Sequence, residues 1–346
     1  MNQRFLYDML TTESVSGGEI ALQKKVMAYM KEQGVTVETD RCGNVVSVLN
    51  PESPIKVLLC GHIDEIGYRV THITDEGYLK VAMAGGVRLA LAQGKRVTVL
   101  GKRRITGVMG LLLDKGEVRT DIQATDLYID CGFTSREEAA ALVSPGDFVT
   151  YTDTVDELQN HRIAGRGLDD RLGAYTVLHA LLRAREKGAK VGVYAATTVG
   201  EETTMRGAYH VASRLEPTLA IAVDVIHSSD FSGSLPQRFG DIRLGGGPVL
   251  CHSAACSAPV NRALADAAER LGLAVQYEVT PRVMGTDADK INQTGKGVPV
   301  TTVSIPLRYM HTPAEVASLD DVDQTVELLA EFLCGLEGVN LDPFAD

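Results

Sequence analysis

Positive charge is in short supply in this chain: 34 Lys and Arg stand against 45 Asp and Glu, giving a formal net charge of -11. A nucleic-acid binder or a protein held to anionic lipid needs a basic face, so neither partner is expected. Long apolar runs are missing as well. No stretch approaches the roughly 20 residues that cross a bilayer. The opening MNQRFLYDML has no basic segment leading into an apolar run, so no signal peptide is expected. The six cysteines, Cys42, Cys60, Cys131, Cys251, Cys256 and Cys334, contain no Cys-x-x-Cys pair. That spacing argues against a redox dithiol or a cysteine zinc knuckle. They are expected to be buried thiols of a reducing compartment, which makes the cytoplasm the expected location. Internal repeats and low-complexity segments are also lacking.

What is there reads as a globular α/β chain. Its 346 residues suffice for one large domain and a smaller one. Ser16 and Glu19 stand at capping-box spacing before a helical pattern of Leu22, Val26, Tyr29 and Met30. The strand-like runs NVVSVL and KVLLC follow, the second running into GHIDEIG. From Gly67 to His161 the texture changes to short β-branched runs (RVTHI, YLKVAM, KRVTVL, RRITGVMG, DFVTYT) with one short helix near Ser135. This predicts a small β-rich barrel or sandwich. Strand and helix then alternate: a helix after GLDDRLG, strand VGVYAATTV, helix RGAYHVASRL, strand TLAIAVD, helix NRALADAAERLGL, strand VPVTTVSIP and a closing helix from Leu319. Alternation of this kind predicts an α/β fold, a largely parallel sheet sandwiched by helices. The β-rich segment, 67–161, is then an insert between the two parts of the main domain, 1–66 and 162–346.

Five segments place acids or histidines where strands are expected to end. They hold His62 and Asp64 (GHIDEIG), Asp169 and Asp170 (GLDDRLG), Glu201 and Glu202 (VGEETT), Asp224 (AVDVIH) and His311 (RYMHTP). Ligands of open α/β sheets gather outside the carboxyl ends of strands, so these segments can converge. Imidazoles and several carboxylates in one place call for a cation. Mixed nitrogen and oxygen donors suit zinc, cobalt or manganese. Each piece alone is weak. A lone His near an apolar strand is more often a core residue, and an acidic pair is more often a solvated face or a helix N-terminus.

The order of the five resembles a known family. HxDEIG, LDDRxG, a Glu-Glu pair, Asp after an apolar strand and RYMH are similar to the tetrahedral or glutamyl aminopeptidases, a group of co-catalytic dimetal metallopeptidases that includes proteins labelled endoglucanase or cellulase. GTDAD (Gly285 to Asp289) and IPLRYMHTPAEV (Ile305 to Val316) extend the match over the whole chain. The resemblance implies a zinc-exopeptidase-like fold and two divalent ions per subunit, zinc or cobalt first and manganese third. It implies that Asp169 bridges the ions, that His62 and Asp224 complete one site, and that Glu202 and His311 complete the other. Glu201 is then the general base and Asp64 orients His62, with Asp170 and Arg171 in support. The implied activity is removal of N-terminal residues from peptides. The implied assembly is a hollow tetrahedral dodecamer built from dimers held by the insert.

One departure is visible. Where the family commonly continues Val-Gly-Leu-Arg-Gly after the glutamate pair, this chain has Thr203, Thr204, Met205, Arg206 and Gly207, so the loop and its pocket are expected to differ. Two other functions compete: a dimetal deacylase or amidohydrolase of blocked peptides, and a metal-binding scaffold without catalysis. The intact Glu201 argues against the scaffold. Cys251, His252 and Cys256 fit no common zinc spacing and are expected to be structural. His227 has either a cleft or a surface position open to it. Gly245 to Gly247 reads as a turn.

Overall fold

The computed structural model describes residues 2–152, 155–342 and 344. Its frame is an eleven-stranded sheet. Four central strands, Gly192–Thr198, Lys56–His62, Leu219–His227 and Val300–Arg308, pair in parallel in that order. Antiparallel strands extend the sheet on both sides. On one side are Val45–Leu49 and Thr36–Thr39; on the other are Glu315–Ser318, Arg162–Gly165 and Asp156–Leu158. The central strands are buried along nearly their whole length. That explains why they read as unbroken apolar runs: helices cover both faces.

One face carries Gln3–Leu10, Ile20–Glu32, Leu168–Lys187, Ala258–Leu271 and Leu319–Gly335 over the larger core. The other carries Arg206–Leu215 and Asp287–Asn292 over a smaller core of Val46, Leu58, Cys60, Ala220, Ala222 and Val300. The closing helix is tied to the expected turn at Gly245 to Gly247, where the Asp321 carboxylate accepts the Gly245 and Gly247 amides at 2.7 and 2.8 Å.

The β-rich segment closes into a six-stranded barrel: Tyr128–Asp130, Leu79–Ala84, Gly67–Ile73, Phe148–Tyr151, Arg96–Leu100 and Arg104–Met109. Burial alternates along Arg104–Met109, as one face of a strand fills the barrel. The filling includes Tyr68, Val97, Val99, Leu127, Ile129 and Val149, a core separate from the two around the sheet. The short helix is Arg136–Ala140, capped by Ser135.

Two expectations fail. The capping box does not form: Ile20–Glu32 starts with no side-chain cap. The reason lies upstream, where Val15 bridges to Glu65 and Ser16 enters a turn closed by the Gly18 amide on the Val15 carbonyl, its hydroxyl 2.9 Å from that of Thr203. Glu19 instead accepts the Gly17 amide at 2.7 Å. All six cysteines are free, but only Cys60 and Cys251 are buried; the other four are half-buried at turns and element ends. Among the described residues no helix is long and apolar enough to cross a membrane.

Candidate metal centre

His62 is the last residue of Lys56–His62. One residue earlier stands Gly61, where an added Cβ would lie 2.5 Å from the backbone of Gly173 and Ala174. Glycine therefore lets the helix Leu168–Lys187 lie directly on the strand. That contact brings Asp170 under His62: its carboxylate accepts the His62 amide at 3.1 Å and the Gly173 amide at 3.0 Å. Asp169 and Asp170 have non-helical dihedrals in the first turn, and their peptide is cis.

Asp169 lies between two imidazoles. Its Oδ1 is 3.1 Å from His62 Nε2, and its Oδ2 is 3.2 Å from His311 Nε2. His311 follows the strand Val300–Arg308, whose end is fixed by the Arg308–Asp230 ion pair at 2.7 Å. A third carboxylate ties these pieces together: Glu315 accepts the His311 amide at 2.8 Å and the Asp169 amide at 3.2 Å. The barrel also reaches in, with the Gly86 carbonyl 3.1 Å from His311 Nδ1.

Glu201 and Glu202 occupy the turn after Gly192–Thr198. Asp64 sets that turn, its two oxygens accepting the Glu201 and Glu202 amides at 3.0 and 3.2 Å. Its contact with His62 runs mainly through the main chain: Nδ1 is 3.1 Å from the Asp64 carbonyl and 3.5 Å from its carboxylate. Glu201 Oε2 is 3.7 Å from His62 Nε2, and Glu202 Oε2 is 3.5 Å from His311 Nε2. Glu202 Oε1 is buried with no hydrogen-bond partner among the described residues. Asp224, three residues before the end of its strand, is buried too. Behind the site Arg171, fully buried, pairs with Glu65 at 2.7 Å and donates to Ser14 Oγ at 2.9 Å; Arg166 joins the same glutamate.

The electrostatics are those of too many buried acids. Burial first, then Asp224, Asp287 and Asp169, push the Glu201 acid up to about 9. Glu202 rises well above the carboxylate range, by burial first and then by the charge of Asp169. Asp224 rises to about 7 by burial. Burial opposes the Asp169 carboxylate as well, yet hydrogen bonds from His311 and His62 hold it below the usual range. Burial also opposes a His62 imidazolium, but Asp169, Asp64 and Glu201 outweigh it. With Nδ1–H donated to the Asp64 carbonyl, His62 turns Nε2 toward a carboxylate, which demands a proton or a cation between them. So many acids around two imidazoles are costly unless positive charge is supplied.

The donor set fits divalent metal. Donor atoms of His62, Asp169 and Glu202 lie within 4.8 Å of one another, as do those of His62, Asp170 and Asp224. All eight residues of the five segments (His62, Asp64, Asp169, Asp170, Glu201, Glu202, Asp224 and His311) converge here. His62, Asp169, Glu201, Glu202, Asp224 and His311 line one cleft of about 460 Å³, whose walls include Met205, His227, Glu278, Met284 and Met310. Met205 belongs to the divergent loop after the glutamate pair. Glu315 and the Gly86 carbonyl were not legible in the sequence. Glu315 lay within IPLRYMHTPAEV with nothing to mark it from other acids, and a carbonyl has no residue signature. Asp287, buried beside Thr198 with a 2.5 Å hydrogen bond, lay within GTDAD without an assigned role.

The family model for the M42 glutamyl aminopeptidases matches residues 43–328. A putative aminopeptidase of Acetivibrio thermocellus is 33% identical, over 96% of this chain and 100% of its own. Among solved structures, the TET aminopeptidase of Thaumarchaeota archaeon SCGC AB-539-E09 superposes with a TM-score of 0.92 at 27% identity, covering 98% of each chain. The TET1 peptidase of Pyrococcus horikoshii, described as able to assemble into a tetrahedron or a large octahedral shell, gives a TM-score of 0.86 at 30% identity over 96% of this chain and 99% of its own. The chain belongs to the M42 glutamyl aminopeptidase family. It is a metal-dependent aminopeptidase, a hydrolase of peptide bonds.

Proposed function

We propose that the chain removes N-terminal residues from peptides at a dimetal centre of His62, Asp169, Glu202, Asp224 and His311, with Glu201 as general base. One observation carries this assignment: the Asp169 carboxylate offers one oxygen to each imidazole, at 3.1 and 3.2 Å. Zinc or cobalt suits the donors best, then manganese. Two such ions, when bound, would supply positive charge to the scissile carbonyl and lower the pKa of the attacking water toward about 7. The chain's own residues do the rest. Glu201 takes the proton of the attacking water and hands it to the departing amine. Asp64 holds the Glu201 and Glu202 amides, so base and ligand keep their places through catalysis. Asp170 and Glu315 hold the backbones of His62, His311 and Asp169.

The reading extends to assembly and place. Residues 67–161, apart from the strand Asp156–Leu158 that joins the main sheet, serve as a dimerisation domain, and the dimers build a tetrahedral dodecamer in the cytoplasm; residues 1–66 and 162–346 form the catalytic domain. Apolar side chains exposed on the barrel side, among them Met83, Val108, Leu111 and Leu113, favour such an interface, and six free thiols fit a reducing compartment. The test is turnover of chromogenic aminoacyl substrates and their N-acetylated forms with added zinc, cobalt or manganese. The free-amine substrates should be cleaved and the blocked ones spared; cleavage of blocked substrates alone would make the enzyme a deacylase. Asp169→Ala should lose more bound metal than any other single ligand change, because both ions lose a partner. Two metals retained in that variant would end the bridging assignment.

A further inference from the structure

The cleft continues past the metal centre along one face of the sheet. Asp224 pairs in register with Ser304, Ser304 with Val249, and Val249 with Gln276. Gln276 therefore stands three strands from Asp224 in one row, and Glu278, two residues on, points to the same face. Strand spacing and rise put the Glu278 Cα roughly 15 Å from that of Asp224. Between them lies Met284, its Sδ 3.3 Å from Thr302 Oγ1 on an intervening strand. The loop that carries Met284 is held by Asp289, whose carboxylate accepts the Met284 and Gly285 amides at 3.1 and 2.8 Å. Glu278, Met284, Gly285 and Thr286 thus bound this end of the cleft. The rim beside Met310 is exposed, at Tyr309 and at Arg88, which donates to the Met310 carbonyl at 3.2 Å.

Glu278 is unlike the other acids of the cleft. Asp169, Glu201, Glu202 and Asp224 all belong to the proposed metal centre; Glu278 stands apart from it. It is half-buried, and among the described residues no Lys or Arg pairs with it. A half-buried carboxylate without a cation leaves charge to be met by a ligand. The way to it is apolar: Met205, Met284, Met310, Val225 and Ile226 line the same cleft. Thioethers adapt to a flexible stem, and Lys and Arg lay their methylenes on apolar surface while the charged head finds a partner. Length decides between candidates. A lysine ammonium reaches about 6 Å from its Cα and a glutamate carboxylate about 4 Å. With a hydrogen bond of about 3 Å these nearly span the gap from Asp224 to Glu278. A leucine or aspartate side chain falls short, and an acidic one is also repelled.

We infer that Glu278 selects peptides whose N-terminal residue is Lys or Arg. The bounded end of the cleft takes the first side chain, because an exopeptidase substrate has no chain before it. The rest of the peptide leaves over the exposed rim. Met205 comes from the loop in which this chain departs from its family, so its wall of the passage is a local feature.

The inference rests on the aminopeptidase reading, and its test separates the two. On the zinc- or cobalt-loaded enzyme, kcat/KM is compared for lysyl, arginyl, norleucyl and glutamyl para-nitroanilides. Norleucine has the lysine stem without the charge. The lysyl and arginyl substrates should exceed the norleucyl one by on the order of ten- to hundred-fold, the range for one hydrogen bond to a charged group. The glutamyl substrate should fall below the norleucyl one. Glu278→Gln should lower the lysyl-to-norleucyl ratio by about ten-fold, and Glu278→Lys should put glutamyl above lysyl. A lysyl substrate no better than norleucyl, or a ratio unmoved by Glu278→Gln, overturns the inference and leaves the aminopeptidase reading standing. Cleavage of none of the four counts against the aminopeptidase reading, and calorimetry then decides the pocket. Free lysine should bind the metal-loaded chain on the order of ten-fold more tightly than norleucine, and Glu278→Gln should remove the difference; equal binding by the parent overturns the inference.

Discussion

Glu201 and Glu202 are adjacent, share one anchoring carboxylate, and yet face different imidazoles. That division makes their roles separable by the same small change. Glu201→Gln keeps shape but cannot accept a proton, and loss of a general base typically costs about 10²–10⁴-fold in rate. Metal content should remain near that of the parent, and excess metal should not restore turnover. Glu202→Gln replaces a carboxylate with a neutral amide, a poorer ligand for a divalent ion. It should lose metal and recover partly when metal is added. Turnover across a metal titration, with bound metal counted, checks both; the opposite pattern would exchange the two roles. The glutamate pair was visible in the sequence, but which side chain faces which imidazole was not. That depends on the turn imposed by Asp64 from another strand.

At the scale of elements, the helix Leu168–Lys187 matters most, because it carries Asp169 and Asp170 onto the central strand. Gly61 permits its approach. Gly61→Ala would put a methyl 2.5 Å from the helix backbone, and overpacking of this kind costs about 1–3 kcal/mol. Chemical denaturation should show that loss, accompanied by weaker metal binding because His62 and Asp170 shift together. An unchanged midpoint would mean that the helix yields without cost. Farther along the same helix, His179 stacks on Tyr175 at 4.0 Å and meets the Tyr29 hydroxyl at 3.2 Å. Burial lowers its pKa from 6.5 to about 4. A depressed histidine favours the fold only while neutral. Its contribution is fully present above pH 6.5 and is lost as pH falls toward 4, by about 3 kcal/mol at most. His179→Phe keeps the stack and removes the proton site. The variant should therefore lose less stability than the parent between pH 6.5 and 4.5, measured by denaturant midpoints; parallel curves would remove His179 from the acid response.

For the whole molecule, the barrel has its own core and lies beside the sheet without supplying any of the proposed ligands. Its surface can therefore be changed without touching the centre. Leu113 and Val118, paired in a small hairpin, are 56% and 50% exposed. Leu113→Glu combined with Val118→Glu should break the proposed assembly into smaller species by light scattering, with little change in the unfolding midpoint of the catalytic domain. Intact assemblies in that variant would move the interface elsewhere, and a monomeric parent protein would remove the assembly while leaving the metal centre in place. The barrel segment meets the centre through the Gly86 carbonyl against His311 and through Arg88, which donates to the Met310 carbonyl at 3.2 Å.

The sequence by itself determined the elements whose burial is continuous or strictly periodic. The runs around Leu58, Ala195, Val223 and Val303 read as buried strands because both faces are covered. The five acidic or histidine segments stood out because strand ends collect them. Short strands outside the parallel centre escaped: Arg162–Gly165, Glu315–Ser318 and Gln276–Thr280 are four or five residues long, too few for period to show. Ser16 and Glu19 misled because local capping chemistry lost to a long-range bridge from Val15 to Glu65. Only the tertiary structure decided that Glu315 holds His311 and Asp169 together and that Asp64 sets the glutamate turn. Each of these contacts joins groups by distance and direction in space, and residue order carries neither.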